Sequence, residues 1–155
     1  MHRHVLGMRV LLAIAVLLWL PVTTASATPP ASITIETFRL QGSPGTFSIS
    51  GAVSDAGTFT TLSVHVSAIH APQFLVVHAT YLFVGDLGSF TLRLQLVERL
   101  TANPSILVGS GTWVLLEGTG AYAGARAQGE IHGTADHTTE PLQLDRTYTG
   151  SFHAD

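Results

Sequence analysis

From Ser89 to Leu96 every second residue is apolar: Phe90, Leu92, Leu94 and Leu96 alternate with Ser89, Thr91, Arg93 and Gln95. Thr61 to Val66 repeats the pattern through Leu62, Val64 and Val66. A period of two sends successive side chains to opposite faces of a strand, so one face of each segment belongs to a core. No stretch after Thr28 holds a 3.6-residue apolar period over three turns. The alternation predicts strands over 33–40, 46–53, 58–68, 74–84, 89–97, 111–117, 127–136 and 142–153. Turn residues separate them: Gly42-Ser43-Pro44-Gly45, Asp55-Ala56-Gly57, Ala71-Pro72, Gly85-Asp86-Leu87-Gly88, Asn103-Pro104 and Glu140-Pro141. Eight short strands in about 120 residues predict an all-β sandwich or up-and-down barrel.

The turns set a register. A four-residue turn at 70–73 places Ile69 opposite Phe74, and one at 85–88 places Val84 opposite Ser89. Both registers gather one apolar set: Leu62, Val64 and Val66; Leu75, Val77, Ala79, Tyr81 and Phe83; Phe90, Leu92, Leu94 and Leu96. A slip of one residue would break that agreement across three strands, so a three-stranded meander is expected. Its other face carries Ser63, His65, Ser67, His78, Thr80, Arg93 and Gln95, with Val76 and Leu82 among them. His65 should lie beside His78, and Phe83 beside Phe90.

Composition narrows the function classes. Apolar residues make up 46% and charged residues 11%, which excludes a disordered chain. Arginine is the strong base throughout, lysine is absent, and the formal charge of −3 gives no footing for nucleic acid. With no cysteine there is no disulfide, thiolate metal site or thiol nucleophile. At the start, Arg3 and Arg9 precede the apolar run Val10–Leu20, then Pro21 and the small residues of Ala25-Ser26-Ala27. That is the order of a secretory signal peptide, and the run is shorter than the ~18 residues of a spanning helix. Cleavage after Ala27 is expected, dividing the chain into a signal helix over 1–27 and one domain over 28–155. Losing Arg3 and Arg9 leaves five arginines against all ten acids, a formal charge of −5. The mature chain would be extracytoplasmic, with no stable membrane span.

Gly118, Gly120 and Gly124 superficially suggest a dinucleotide loop, but the spacing is not G-x-G-x-x-G and no helical pattern follows. They read instead as a tight turn between two strands, with Tyr122 plugging a barrel end. The segment Gly118-Thr119-Gly120-Ala121-Tyr122-Ala123-Gly124-Ala125-Arg126 resembles the G-T-G-x-[FY]-x-x-A-R-G motif of dirigent proteins and of the allene oxide cyclase barrel-like superfamily. Ala127 stands where the family often has Gly, and Glu117 where dirigent proteins usually have another Gly. Gly109-Ser110-Gly111-Thr112-Trp113 and Tyr148-Thr149-Gly150 look like flanking strands of bacterial secreted members. The resemblance is specific over 109–136 and loose elsewhere. It implies an eight-stranded antiparallel barrel with an apolar interior, and homo-oligomers, since plant members form trimers. Plant members cyclise a fatty-acid epoxide or orient phenoxy radicals. Their catalytic acids have no residue-by-residue match here, so no catalytic residue is assigned.

The leading functional expectation is non-catalytic binding of a small apolar ligand inside the barrel, lined by Tyr81, Phe83, Phe90, Trp113, Arg146 and Tyr148. An isomerase or cyclase of the family's type and a structural, oligomerising barrel with a filled core are the alternatives. No cofactor is expected. His65 and His78 are half a metal site with no third ligand at motif spacing, so no metal is assigned. No nucleophile turn of the G-x-S-x-G kind is present. Arg146 shares a face with Leu144, Tyr148 and Phe152; the reading favoured here turns it outward at the rim, and if it is inside it needs an acid such as Glu36 or Glu117. The leader makes one direct prediction: intact-mass measurement of the exported protein should show Thr28 as the first residue, and a membrane fraction retaining Met1 would contradict it.

Overall fold

The computed structural model describes residues 29–69 and 74–154. The expected signal helix over 1–27 and the turn at 70–73 lie outside the described residues. The strands are β1 (Ala31–Leu40), β2 (Gly45–Gly51), β3 (Asp55–Ile69), β4 (Phe74–Gly85), β5 (Gly88–Leu100), β6 (Ile106–Gly118), β7 (Arg126–Asp136) and β8 (Gln143–His153). They pair antiparallel in chain order, and β8 returns to β1 to close a barrel. Between β6 and β7 lies one 3-10 turn, Gly120–Tyr122. No described helix is long and apolar enough to cross a membrane.

The expected register is present: Ile69 opposes Phe74, His65 opposes His78, Val84 opposes Ser89 and Phe83 opposes Phe90. The β3–β4 pairing departs from it at one place, a bulge between Thr61 and Ser63. Uninterrupted, the register would set Thr60 against Phe83 and turn Phe59 outward. With Leu62 as the extra residue, Phe59 opposes Phe83 instead. Three strands are at least four residues longer than the alternation predicts: β3 begins at Asp55, so the expected turn Asp55-Ala56-Gly57 is strand paired to Ile49, Ser48 and Phe47. β5 continues to Leu100, and β6 begins at Ile106, five residues before 111, running straight through Gly109 and Gly111.

The bulge matters because it completes the core. Phe59, Phe83 and Phe90 face inward side by side on β3, β4 and β5. Their rings stack, Phe59 on Phe83 with centroids 5.1 Å apart and Phe83 on Phe90 at 4.8 Å. Phe47 meets Phe83 and Phe90 edge-on at 5.2 and 5.7 Å, the geometry that sets a positive ring edge against a negative face. Glycines flank the row: Gly45 opposes Phe59, and Gly118 opposes Phe90. A Cβ on Gly45 would come 2.1 Å from the Phe59 ring, and one on Gly118 would come 2.5 Å from the Cβ of Tyr122.

The two ends of the barrel differ. The β2–β3, β4–β5 and β6–β7 connections share one end, which Tyr122 fills, its ring centroid 4.5 Å from Phe90. The β1–β2, β5–β6 and β7–β8 connections lie at the other, open end. There β2 stops pairing at Gly45–Phe59, while β3 runs on. This corrects one expectation: Val64 and Val66 face the inner side, opposite Ala79 and Val77, yet they are 57% and 52% exposed. No described strand lies beside them to cover that face, and Leu62 in the bulge is 57% exposed.

Candidate functional site

One inner layer near the open end is polar. In register it runs Glu98 on β5, Gly109 on β6, Gly133 on β7, Arg146 on β8 and Thr37 on β1. Arg146 therefore reaches Glu98 across two strands that present no side chain. The two glycines make that span possible. A Cβ on Gly133 would come 2.5 Å from the Arg146 Cγ, and one on Gly109 would come 3.1 Å from the Glu98 Cγ. Arg146 Nη2 donates to Glu98 Oε1 at 2.9 Å, and Nη1 donates to the Tyr81 hydroxyl at 3.1 Å. The Thr37 hydroxyl donates to the Arg146 carbonyl at 3.1 Å. Both charged side chains are buried, at 9% and 11% exposure. Burial works against the charge on Arg146, but Tyr81, Tyr148 and the Glu98 carboxylate outweigh it and hold the guanidinium charged.

Just beneath the pair, Tyr148 is fully buried, and its hydroxyl has no hydrogen-bond partner among the described residues. Burial pushes that hydroxyl above its ordinary value, while the Arg146 guanidinium and the Thr37 hydroxyl, close by but not in bonding geometry, act in the opposite direction. The layer thus offers a neutralised ion pair, N–H donors of the guanidinium fork beyond the two in use, and an unpaired phenol. Those groups suit an oxygen acceptor on a mostly apolar molecule.

A second polar contact closes the filled end. Tyr122 donates to Asp55 Oδ2 at 2.6 Å, while the N–H groups of Ala56 and Asp86 donate to Oδ1 at 2.8 and 3.0 Å. The turn that delivers Tyr122 uses Gly120 and Gly124 in the left-handed region, at φ of +59° and +72°. At Gly120 a Cβ would also come 2.1 Å from the Leu87 carbonyl oxygen. Burial and the Asp55 carboxylate push the Tyr122 hydroxyl up. Burial alone would raise the Asp55 carboxyl, but Tyr122 and the N–H groups of Ala56, Asp86 and Leu87 hold it below the usual value.

The six side chains named from sequence as a pocket lie together inside the barrel. Trp113 meets Tyr148 edge-on at 6.2 Å, Tyr148 meets Phe83 at 6.4 Å, Phe83 stacks on Phe90, and Tyr81 holds Arg146. They pack on one another rather than around an open space. A void of about 10 Å³ remains beside Phe90, Trp113 and Tyr122, near the lower limit for one water. Trp113 satisfies its indole N–H on the carbonyls of Glu130 and Thr149, at 3.0 and 3.2 Å.

Arg146 is inside, not at the rim, and its acid is neither Glu36 nor Glu117, which face outward in exposed positions. Arginine is rarely buried, and the room for it here comes from two glycines on other strands, Gly109 and Gly133. Glu98 lies one residue beyond the strand that the alternation predicts over 89–97. The signal was present, since Glu98 continues the inner set Phe90, Leu92, Leu94, Leu96 by one step. His65 and His78 are exposed on the outer face, and no three His, Asp or Glu side chains converge among the described residues. No family model, curated protein or solved structure matches the chain.

The Asp55–Tyr122 contact predicts a pH dependence. The folded carboxyl lies below its unfolded value, so the unfolded chain takes up the proton first as pH falls. The stabilisation is complete above the unfolded value of about 3.9 and is lost as pH falls through the folded one. Tyr122→Phe should cost about 1–2 kcal/mol at neutral pH. Asp55→Asn should lower the thermal midpoint at neutral pH and flatten its decline between about pH 5 and pH 2. An acid limb equally steep in Asp55→Asn and parent would assign that acid sensitivity elsewhere.

Proposed function

We propose that this is a secreted, non-catalytic binding protein of the allene oxide cyclase/dirigent-like kind. Its ligand is a small apolar molecule with one oxygen acceptor, taken up at the open end of the barrel. The Arg146–Glu98–Tyr81 cluster, with the unpaired Tyr148 hydroxyl beneath it, carries this reading. A buried ion pair is a poor stabiliser, and matched apolar side chains often do as well or better. Polar groups kept in such a layer with bonding capacity unused point to a ligand. The inward, half-exposed Val64 and Val66 supply an apolar approach. Because Glu98 already neutralises Arg146, a phenol, alcohol or carbonyl fits better than a carboxylate. The glycine-rich turn at Gly118–Gly124 and the apolar leader support the family and the compartment.

A specific observation favours a second reading, a structural barrel with a filled core: the aromatic rows occupy the inner space down to the ~10 Å³ void. Binding separates the two. Isothermal titration with 4-phenylphenol and with biphenyl should show the phenol bound at least about tenfold more tightly, roughly the worth of one good hydrogen bond. The double variant Arg146→Met/Glu98→Met, which leaves no lone buried charge, should lose that preference while keeping the barrel's circular dichroism. Equal affinities for both compounds in the parent, or no binding of either, would favour the structural reading.

A further inference from the structure

We propose that Arg39 and the uncovered edge of β3 together receive the extended C-terminal tail of another protein, paired antiparallel to β3 with its terminal carboxylate on the Arg39 guanidinium. β3 pairs with β2 through Phe59, and no described strand lies beside Thr60–Ile69 on that side. At ~3.3 Å per residue that edge is roughly 33 Å long, and its N–H and C=O groups point outward in the plane of the sheet. From Ala56 to Gly85 there is no Asp, Glu, Lys or Arg. The β3–β4 hairpin therefore offers an incoming chain backbone and apolar contact, with Val64 and Val66 more than half exposed, but no ion pair of its own.

The end of the edge selects the occupant. A chain added beside Thr60–Ile69 lies in line with β2, and its way is closed where β2 begins. There the chain turns through Gln41–Pro44, with the Ser43 N–H donating to the Leu40 carbonyl at 3.1 Å. A strand running through does not fit, but a chain end does. Arg39 stands at that point. Its side chain crosses from β1 to β3, where Nη1 donates to the Thr61 hydroxyl, and Nε donates to the Ser43 carbonyl at 3.1 Å. Those bonds fix the guanidinium and leave Nη2 without a hydrogen bond among the described residues. No described carboxylate lies within ion-pair distance of it. A fixed guanidinium with N–H groups to spare suits a carboxylate. It also sets the direction. An antiparallel tail brings its carboxylate to Arg39, whereas a parallel one would bring its ammonium group against a like charge. This chain's own tail does not serve: β8 ends at His153 at the opposite, filled end, with two residues beyond it. Tail residues facing Val64 and Val66 lie on the inner side and those facing Ser63, His65 and Ser67 on the outer, so the tail alternates apolar with small polar residues. The pairing runs along the backbone edge and does not depend on the ligand proposed above.

The test compares two peptides, Ser-Val-Thr-Val-Ser-Val with a free C-terminus and the same sequence with a C-terminal amide, each carrying fluorescein at its N-terminus. Anisotropy titrations of the parent protein should show the acid bound at least about tenfold more tightly than the amide, the order of one charge-assisted hydrogen bond. Arg39→Gln should remove that difference, and Val64→Lys should weaken both peptides. Binding of the acid should also slow hydrogen exchange of the β3 amides on the open edge. Equal affinities of acid and amide for the parent, or no binding of either, would overturn the proposal, and that comparison needs no variant to fold. So would β3 edge amides that already resist exchange in the free protein, since another part of the chain or a second copy would then be covering the edge.

Discussion

An eight-stranded barrel has room for its own inward side chains and little more. A large group on one strand therefore needs a small one across from it. Phe59, Phe83 and Phe90 occupy one inner row because Gly45 and Gly118 end it. Arg146 and Glu98 occupy another because Gly109 and Gly133 stand between them. The bulge at Leu62 serves the same end, turning Phe59 inward to complete the phenyl stack.

That constraint divides the barrel into a filled half and a polar layer. At the filled end, Tyr122 arrives on a turn that only left-handed glycine geometry permits, and it bonds to a carboxylate held by backbone N–H groups. No buried side-chain polar atom there lacks a partner among the described residues, so that end reads as structural. Toward the open end, the ion pair is satisfied in charge, and Tyr148 keeps a buried hydroxyl without a partner among the described residues. The unpartnered Tyr148 hydroxyl is what supports the proposed ligand at the open end.

Much of the fold was legible because alternation and turn chemistry are local signals. β4 and β5 and their register followed from period two and two turn assignments. What escaped depends on neighbours distant in the chain. The predicted strand over 111–117 opens at Gly111, yet β6 begins at Ile106 and runs through Gly109 as well, and Gly109 leaves space for the Glu98 side chain. The predicted strand over 89–97 stops one residue short of Glu98. The exposure of Val64 and Val66 could not be read from β3, because it follows from where β2 stops. Arg146 pointed inward against its own residue preference, which only the opposite glycines explain.

If the ion pair is kept for a ligand and not for the fold, its stability should behave in a particular way. Chemical denaturation of the parent, Arg146→Met, Glu98→Met and the double variant forms a complete cycle. The account predicts that each single variant loses about 3–5 kcal/mol, because one charge is stranded in the barrel, and that the double variant recovers parental stability or exceeds it. A double variant destabilised by the sum of the two singles would contradict the account and make the pair a structural element of the barrel.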